Sequence, residues 1–152
     1  MSKVTSDMKI LNSLVRQVFN GDKTAKVGFF EDSGPHPRSG ANAYEIAAIN
    51  NHGDTRLRIP ARPFVTDGAN ERVMQTLTDL KKGVRKVHLG TSTFSKELRK
   101  GAVTQRDAIL SQLLIAPFQY VRNAESTIEN KGFNAPMRET GWLTKQIDIK
   151  YD

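Results

Sequence analysis

Side chains that could perform metal or acid–base chemistry are scattered along this 152-residue sequence. The histidines, His36, His52 and His88, lie in three different segments, and none is followed after three or four residues by a His, Asp or Glu. That is the spacing with which a helix presents two metal ligands on one face. His52 and Asp54 form the nearest pair of possible ligands, in a polar stretch typical of a solvated loop. The sequence therefore predicts no metal site.

Other catalytic patterns are missing or incomplete. The adjacent carboxylates Glu31 and Asp32 could bind a cation or exchange protons, but the Ser-Gly-Pro that follows them predicts a solvated turn. Residues 34–40 lack the Gly-Lys-Ser/Thr ending of a phosphate loop, and their prolines remove backbone N–H donors. The absence of cysteine excludes thiol catalysis and Cys-ligated zinc, and is typical of a reducing cytoplasm. We therefore predict that the protein is not an enzyme and uses no cofactor.

Positive charge is the most unusual property of the chain. Its 23 Lys and Arg against 16 Asp and Glu give a net charge of +7, and residues 81–106 contain one acid, Glu97. The bases of that segment are Lys81, Lys82, Arg85, Lys86, Lys96, Arg99, Lys100 and Arg106. Such a local excess favours a polyanionic partner, although a solvated helix face has the same composition. No motif of a sequence-specific reader accompanies these bases, so we expect any contact with DNA to be independent of sequence.

Apolar spacing and turn residues predict the elements of the first half. These are a helix at residues 7–19, a strand at 25–30, an exposed loop at 31–42 and a short helix at 44–51. Asn42 is the expected N-cap of the short helix, and Gly53 its expected end. The IPARPF motif of residues 59–64 has two prolines three residues apart, which hold its backbone extended.

The second half is predicted to be mainly helical. The expected elements are a helix at residues 67–88, a long helix capped by Ser95, an interruption near Pro117, a further helical stretch to about residue 130, and a strand at 143–151. The first of these helices is indicated by Val73, Leu77, Leu80 and Val84. No apolar run is long enough to span a membrane, and residues 1–9 have no secretory pattern.

These elements predict an α+β fold in one domain over residues 1–152. The two strands come from opposite ends of the helical middle, and we expect them to pair in a small antiparallel sheet. Helices would pack on one face of that sheet, with one long helix at the centre. No repeat and no linker divides the chain.

Two isolated residues could contact a partner. Trp142, the sole tryptophan, directly precedes the expected last strand, where it could anchor the core or bind another protein. Arg62, held between prolines, could pair with a carboxylate of its own domain or with a neighbouring subunit. The sequence leaves both alternatives open.

Three motifs follow one another in a distinctive order: VGFF at residues 27–30, AYEIAAINNHG at residues 43–53 and RIPARPF at residues 58–64. This order resembles the tail-completion or neck proteins of tailed double-stranded-DNA bacteriophages. The far end is similar as well, through Thr127-Ile128, Lys131-Gly132, Pro136-Met137 and Thr140-Gly141 before a final amphipathic segment. The resemblance covers about two-thirds of the chain and touches both ends.

The resemblance implies a structural virion protein that joins the DNA-filled head to the tail. The subunits would be assembled in the host cytoplasm into a homo-oligomeric ring, commonly sixfold, around the DNA channel. Portal or stopper-side neck proteins and the tail terminator or tail tube would be its partners. Arg62, Phe64, Trp142 and His52 would contact a neighbouring subunit or partner, and the bases of residues 81–106 would face the DNA or an acidic surface.

Other roles stay open at this point. A tail terminator or another head–tail connector is one alternative, since virion morphogenesis factors, minor tail components and head–tail connectors are related groups that share the proline-rich motif. A DNA-binding accessory protein that never enters the virion would also have a basic segment without sequence-specific motifs.

Overall fold

A computed structural model of the chain describes residue 12, residues 15–16, residues 21–134, residues 136–137 and residues 141–152. The elements in chain order are β1 (Ala25–Gly28), α1 (Ala43–His52), α2 (Phe64–His88), α3 (Phe94–Gln119), α4 (Glu125–Lys131), a 3-10 turn (Leu143–Lys145) and β2 (Asp148–Tyr151). The predicted α+β class is confirmed. The helix predicted at residues 7–19 lies largely outside the described residues, of which Asn12, Val15 and Arg16 are helical.

Helices α2 and α3 pack along each other as a long antiparallel hairpin. The buried residues of α2 are small or short apart from the first of them: Phe64, Gly68, Thr76, Gly83 and Val87. Of the apolar residues that predicted this helix, Val73, Leu77 and Val84 are 41%, 46% and 57% exposed, whereas the half-buried Leu80 packs beside Gly101 of α3. The spacing therefore predicted the helix correctly but identified the face that contacts α3 only in part.

The sheet consists of β1 and β2, paired antiparallel as predicted. Ala25 is opposite Tyr151, and Gly28 is opposite Asp148. The predicted strand at residues 143–151 is wrong in its first half, where Leu143–Lys145 form a 3-10 turn and Leu143 enters the core. Strand β1 ends at Gly28, so a longer β2 would have no backbone to pair with there.

Both ends of α3 also differ from those predicted, and α2 begins at Phe64, three residues earlier than predicted. Thr93, not Ser95, caps α3, because its side chain accepts a hydrogen bond from the Lys96 amide. Ser95 instead accepts one from the backbone amide of Asp22. The helix continues through Pro117 for two residues and ends at Gln119, so the interruption predicted there comes slightly later.

The core lies where the sheet, α1 and the hairpin meet. Its buried residues are Phe29, Ala43, Ala47, Phe64, Ile109, Leu113 and Leu143. The rings of Phe29 and Phe64 meet edge to face, with centroids 5.9 Å apart. Helix α1 begins as predicted, with a capping box in which Asn42 and Glu45 each accept the other's backbone amide.

Candidate functional site

The IPARPF motif connects α1 to α2 and fixes the start of α2. Arg62 donates its backbone amide to the Asn50 carbonyl at 2.7 Å. No side chain of the preceding segment caps α2, and the buried amide of Asn51 on α1 does so instead. Its Oδ1 accepts from the backbone amides of Val65 at 3.0 Å and Thr66 at 3.3 Å. A side chain at the end of α1 therefore supplies the hydrogen-bond acceptor that the backbone amides in the first turn of α2 need.

The Arg62 side chain connects this region to the end of α3. It is 4% exposed. Its guanidinium donates to the Val121 carbonyl at 3.0 Å, the Asn50 Oδ1 at 3.3 Å, the Arg122 carbonyl at 3.3 Å and the Asn123 Oδ1 at 3.4 Å. We call this set the Arg62 cluster. All four acceptors are neutral oxygens, so the carboxylate of its own domain, one of the two partners considered for Arg62, is not found within the described residues.

Phe64 does not lie at the surface, contrary to the expectation that it contacts a neighbouring subunit, whereas the largely buried Arg62 borders an open groove. Phe64 is fully buried in the core, and Arg62 is used by backbone carbonyls and amides of its own chain. The physical reason is that the extended motif crosses over the domain, so these side chains point towards Phe29 and residues 121–123. The structure gives both residues a role in joining the α1–α2 connection to the rest of the chain.

Of the other two predicted contact residues, His52 is exposed and Trp142 is half-buried. His52 ends α1, and its ring lies near the Asn51 side chain. Trp142 is half-buried, packs against the core and meets the His36 ring edge to face, with centroids 4.9 Å apart. Trp142 therefore contributes to the core, which was the first of the two roles considered for it.

Seven of the eight predicted bases come together where α2 ends and α3 begins. We call this region the basic tip; it contains Lys81, Lys82, Arg85, Lys86, Lys96, Arg99 and Lys100. Arg106 lies further along α3 and pairs with its neighbour Asp107 at 2.7 Å. The hairpin thus brings together bases that are up to 19 positions apart in the sequence by folding one helix back on the other.

Acidic residues neutralise part of the basic tip. Arg99 binds Asp22 at 2.9 Å and lies over the Tyr151 ring, while Lys82 is 3.7 Å from Asp79. Among the described residues of the basic tip, four exposed bases form no ion pair: Lys81, Arg85, Lys86 and Lys96. These four are the side chains that remain available to an anionic partner.

The one acid of this segment, Glu97, is buried under the tip. Hydrogen bonds from Ser92 and then Lys100 lower the pKa of its carboxyl below the usual value, and the charge of Lys86 acts in the same direction. The Lys100 ammonium is 2.9 Å from it. Beside the tip, a groove of about 870 Å³ runs along α3, and Lys96, Arg99 and Lys100 contribute to its lining.

The described part of the chain contains no group of three or more His, Asp or Glu residues that could hold a metal ion. Within the same residues, no helix combines the length and the apolarity that crossing a bilayer requires. When the chain is compared with known proteins, no family model, no curated protein and no solved structure matches it. The resemblance carried by residues 27–30, 43–53 and 58–64 therefore stays a prediction.

Proposed function

We propose that this chain is a structural protein of the neck of a tailed double-stranded-DNA bacteriophage, where it completes the tail and joins it to the DNA-filled head. The observation that carries the proposal is the order of the VGFF, AYEIAAINNHG and RIPARPF motifs, together with their meeting in one place. Phe29, Ala43, Ala47 and Phe64 come from these three motifs and pack in one core. A shared core is a physical reason for the motifs to occur together.

In this proposal the protein forms a ring around the DNA channel, with six subunits favoured. Portal or stopper-side neck proteins would lie on one side of the ring, and the tail terminator or tail tube on the other. The exposed bases of the basic tip would face the passing DNA or an acidic surface of a neighbour. The proposal assigns the protein to the virion and gives it no catalytic activity.

A tail terminator or another head–tail connector is an alternative within the same class. A second class is a DNA-binding assembly protein that stays outside the virion. The observation that favours this class is the cluster of four exposed bases, Lys81, Arg85, Lys86 and Lys96, without an ion pair in the described residues. Contacts of this kind bind phosphates without reading the bases.

Electron microscopy of lysates tests the proposal. The gene is interrupted by a nonsense codon in the phage to which the proposal assigns it, and a host that supplies the intact protein is the control. Filled heads beside separate tails are the expected result. Normally joined particles would contradict the proposal and favour the accessory role, whereas tails of abnormal length would identify a terminator.

A further inference from the structure

Arg62 is a buried cation without an anionic partner in the described residues. Four neutral oxygens accept hydrogen bonds from its guanidinium. The Nη1 atom has a single acceptor among the described residues, the Oδ1 of Asn50. Burial lowers the pKa of the Arg62 guanidinium from its ordinary value. A charge in this position is costly unless it is paired, so an added carboxylate would be attracted to it.

The Arg62 cluster also contains a side-chain donor without an acceptor among the described residues, the Nδ2 of Asn123. Asn123 is 8% exposed, and its Oδ1 accepts from Arg62. Its Nδ2 is buried and has no hydrogen-bond partner among the described residues. Unpartnered buried donors are rare in folded proteins, because each one loses its bonds to water without replacement.

Arg62 and Asn123 both line an open groove of about 830 Å³. The described residues of its lining include Arg58 and Lys131 but no Asp or Glu. Apolar side chains form much of the remaining wall: Ile46, Leu57, Ile59, Pro60, Met137, Trp142 and Leu143. Arg58 is exposed at its rim, and its guanidinium has no partner within the described residues.

We propose that this groove binds an acidic, partly apolar segment of another protein chain, with a carboxylate placed over Arg62 and Asn123. The carboxylate supplies the counter-charge that Arg62 lacks and an acceptor for the unused amide. Apolar side chains of the segment pack against Trp142 and Ile59. This inference does not depend on the proposed function, since it rests on the lining of the groove alone.

A protein segment fits this groove better than nucleic acid does. Phosphate-binding surfaces are predominantly basic and wet, whereas here the three bases Arg58, Arg62 and Lys131 accompany a wall of apolar side chains. The residues suited to DNA are elsewhere, because Arg62 precedes α2 and the basic tip lies at the other end of that helix. A helix of this length spans about 37 Å. The two surfaces can therefore be tested separately.

Selection from a library of random twelve-residue peptides displayed on a carrier tests the proposal. The intact chain is the bait, and selected peptides are then titrated while the fluorescence of Trp142, the sole tryptophan, is followed. We expect selected peptides to be enriched in Asp and Glu and to change the fluorescence. Failure to enrich acidic peptides, or enrichment of peptides that leave the fluorescence unchanged, would overturn the proposal.

Two variants locate the binding. Asn123→Asp keeps the oxygen that accepts from Arg62 but replaces the unused donor with an anionic oxygen, and we expect peptide affinity to fall by about tenfold or more. Arg58→Glu should also weaken peptide binding, because it replaces a base of the groove lining with an acid. Arg56→Glu is the matched control, since Arg56 belongs to the same loop and its side chain is 91% exposed outside the groove lining.

These variants distinguish the outcomes. Equal affinity of the selected peptides for the intact chain and for Asn123→Asp would contradict a carboxylate over Arg62. Competition by a duplex oligonucleotide that is lost in Arg58→Glu and kept in Arg56→Glu would assign the groove to nucleic acid instead. Circular dichroism and thermal unfolding of each variant show whether it is folded before its affinity is compared.

Discussion

A Cβ atom at residue 68 would lie 2.5 Å from the Cα atom of Ile109, so α2 and α3 approach each other to backbone contact at this point. Gly83 has a similar place near the other end of the hairpin, where a Cβ would lie 2.7 Å from the Cβ of Glu97. The glycines therefore set the distance between the two long helices. This distance holds Ile109 in the core beside Phe64 and keeps Glu97 under the basic tip.

Substitution Gly68→Ala should destabilise the protein by about 2–3 kcal/mol, because the added methyl group meets backbone atoms that cannot rotate away. Chemical denaturation measures this change in the free energy of unfolding. Gly34→Ala is the control, since nothing lies within 4 Å of a Cβ at that exposed residue. An equal stability of the two variants would show that the helices can separate at no cost.

Substitution Asn51→Ala should cost about 1 kcal/mol, the typical loss when a capping side chain is removed. Its Oδ1 is the acceptor for Val65 and Thr66 at the start of α2, and no residue of the preceding segment replaces it. Asn51→Asp keeps the acceptor and should lose less. Urea titration of the three proteins checks the order, and an Asp variant as unstable as the Ala variant would argue against capping.

Tyr120 should make stability depend on pH in the alkaline range. Its hydroxyl donates to Asp67 at 2.5 Å, and burial together with that carboxylate raises the pKa of Tyr120 above the ordinary value. Below about pH 10 the contribution of Tyr120 to the free energy of unfolding is constant, because its hydroxyl is protonated in both states. Above that pH the unfolded chain loses a proton that the folded chain retains. The free energy of unfolding should therefore decrease as pH rises further.

Tyr120→Phe removes this proton, and it should also cost about 1 kcal/mol at neutral pH through the lost hydrogen bond. Denaturation curves between neutral pH and about pH 11 compare it with the intact protein. Tyr44→Phe is the control, because Tyr44 is 47% exposed. If Tyr120→Phe loses alkaline stability as steeply as the intact chain, Tyr120 is not the group responsible.

The basic tip should bind duplex DNA through phosphates. The double variant Lys81→Glu and Arg85→Glu should reduce the slope of log affinity against log salt by about 2, since each phosphate contact contributes about 0.9. Arg56→Glu with Lys145→Glu changes the net charge equally at exposed residues outside the tip. Anisotropy of a labelled duplex at several salt concentrations compares the pairs. Equal slopes would mean that net charge, not the tip, governs binding.

Local signals in the sequence were sufficient for much of this fold. The cap at Asn42 was predictable because both partners of the capping box lie within four residues. The pairing of the two strands followed from their being the two segments of strand character. Short-range patterns of this kind are decided by the backbone groups of the same segment, so they change little with the tertiary environment.

Features that depend on tertiary contacts were not predictable. The apolar spacing of Val73 and Leu77 predicted a helix, but close contact with α3 requires small residues, and these occupy a different face. The strand character of residues 143–145 was overridden because Leu143 is needed in the core. Nothing local distinguishes Thr93 from Ser95 as the cap of α3.

The candidate surfaces were predicted to different degrees. The basic tip followed from charge alone, because a hairpin joins neighbouring segments of the chain. The burial of Arg62 did not, since its acceptors at Val121 and Arg122 lie about 60 residues away. The prolines near Arg62 predicted a rigid segment, but no local pattern showed that the Arg62 side chain is buried.

The sheet has a consequence for the order of folding. Thr24 and Asp152 flank the paired strands and are 128 positions apart, whereas the hairpin of α2 and α3 joins adjacent segments. Closing so large a loop is slow compared with forming neighbouring contacts. During synthesis on the ribosome we therefore expect the helical hairpin to form first. Strand β1 then stays unpaired until residues 148–151, which form its partner strand, have been synthesised.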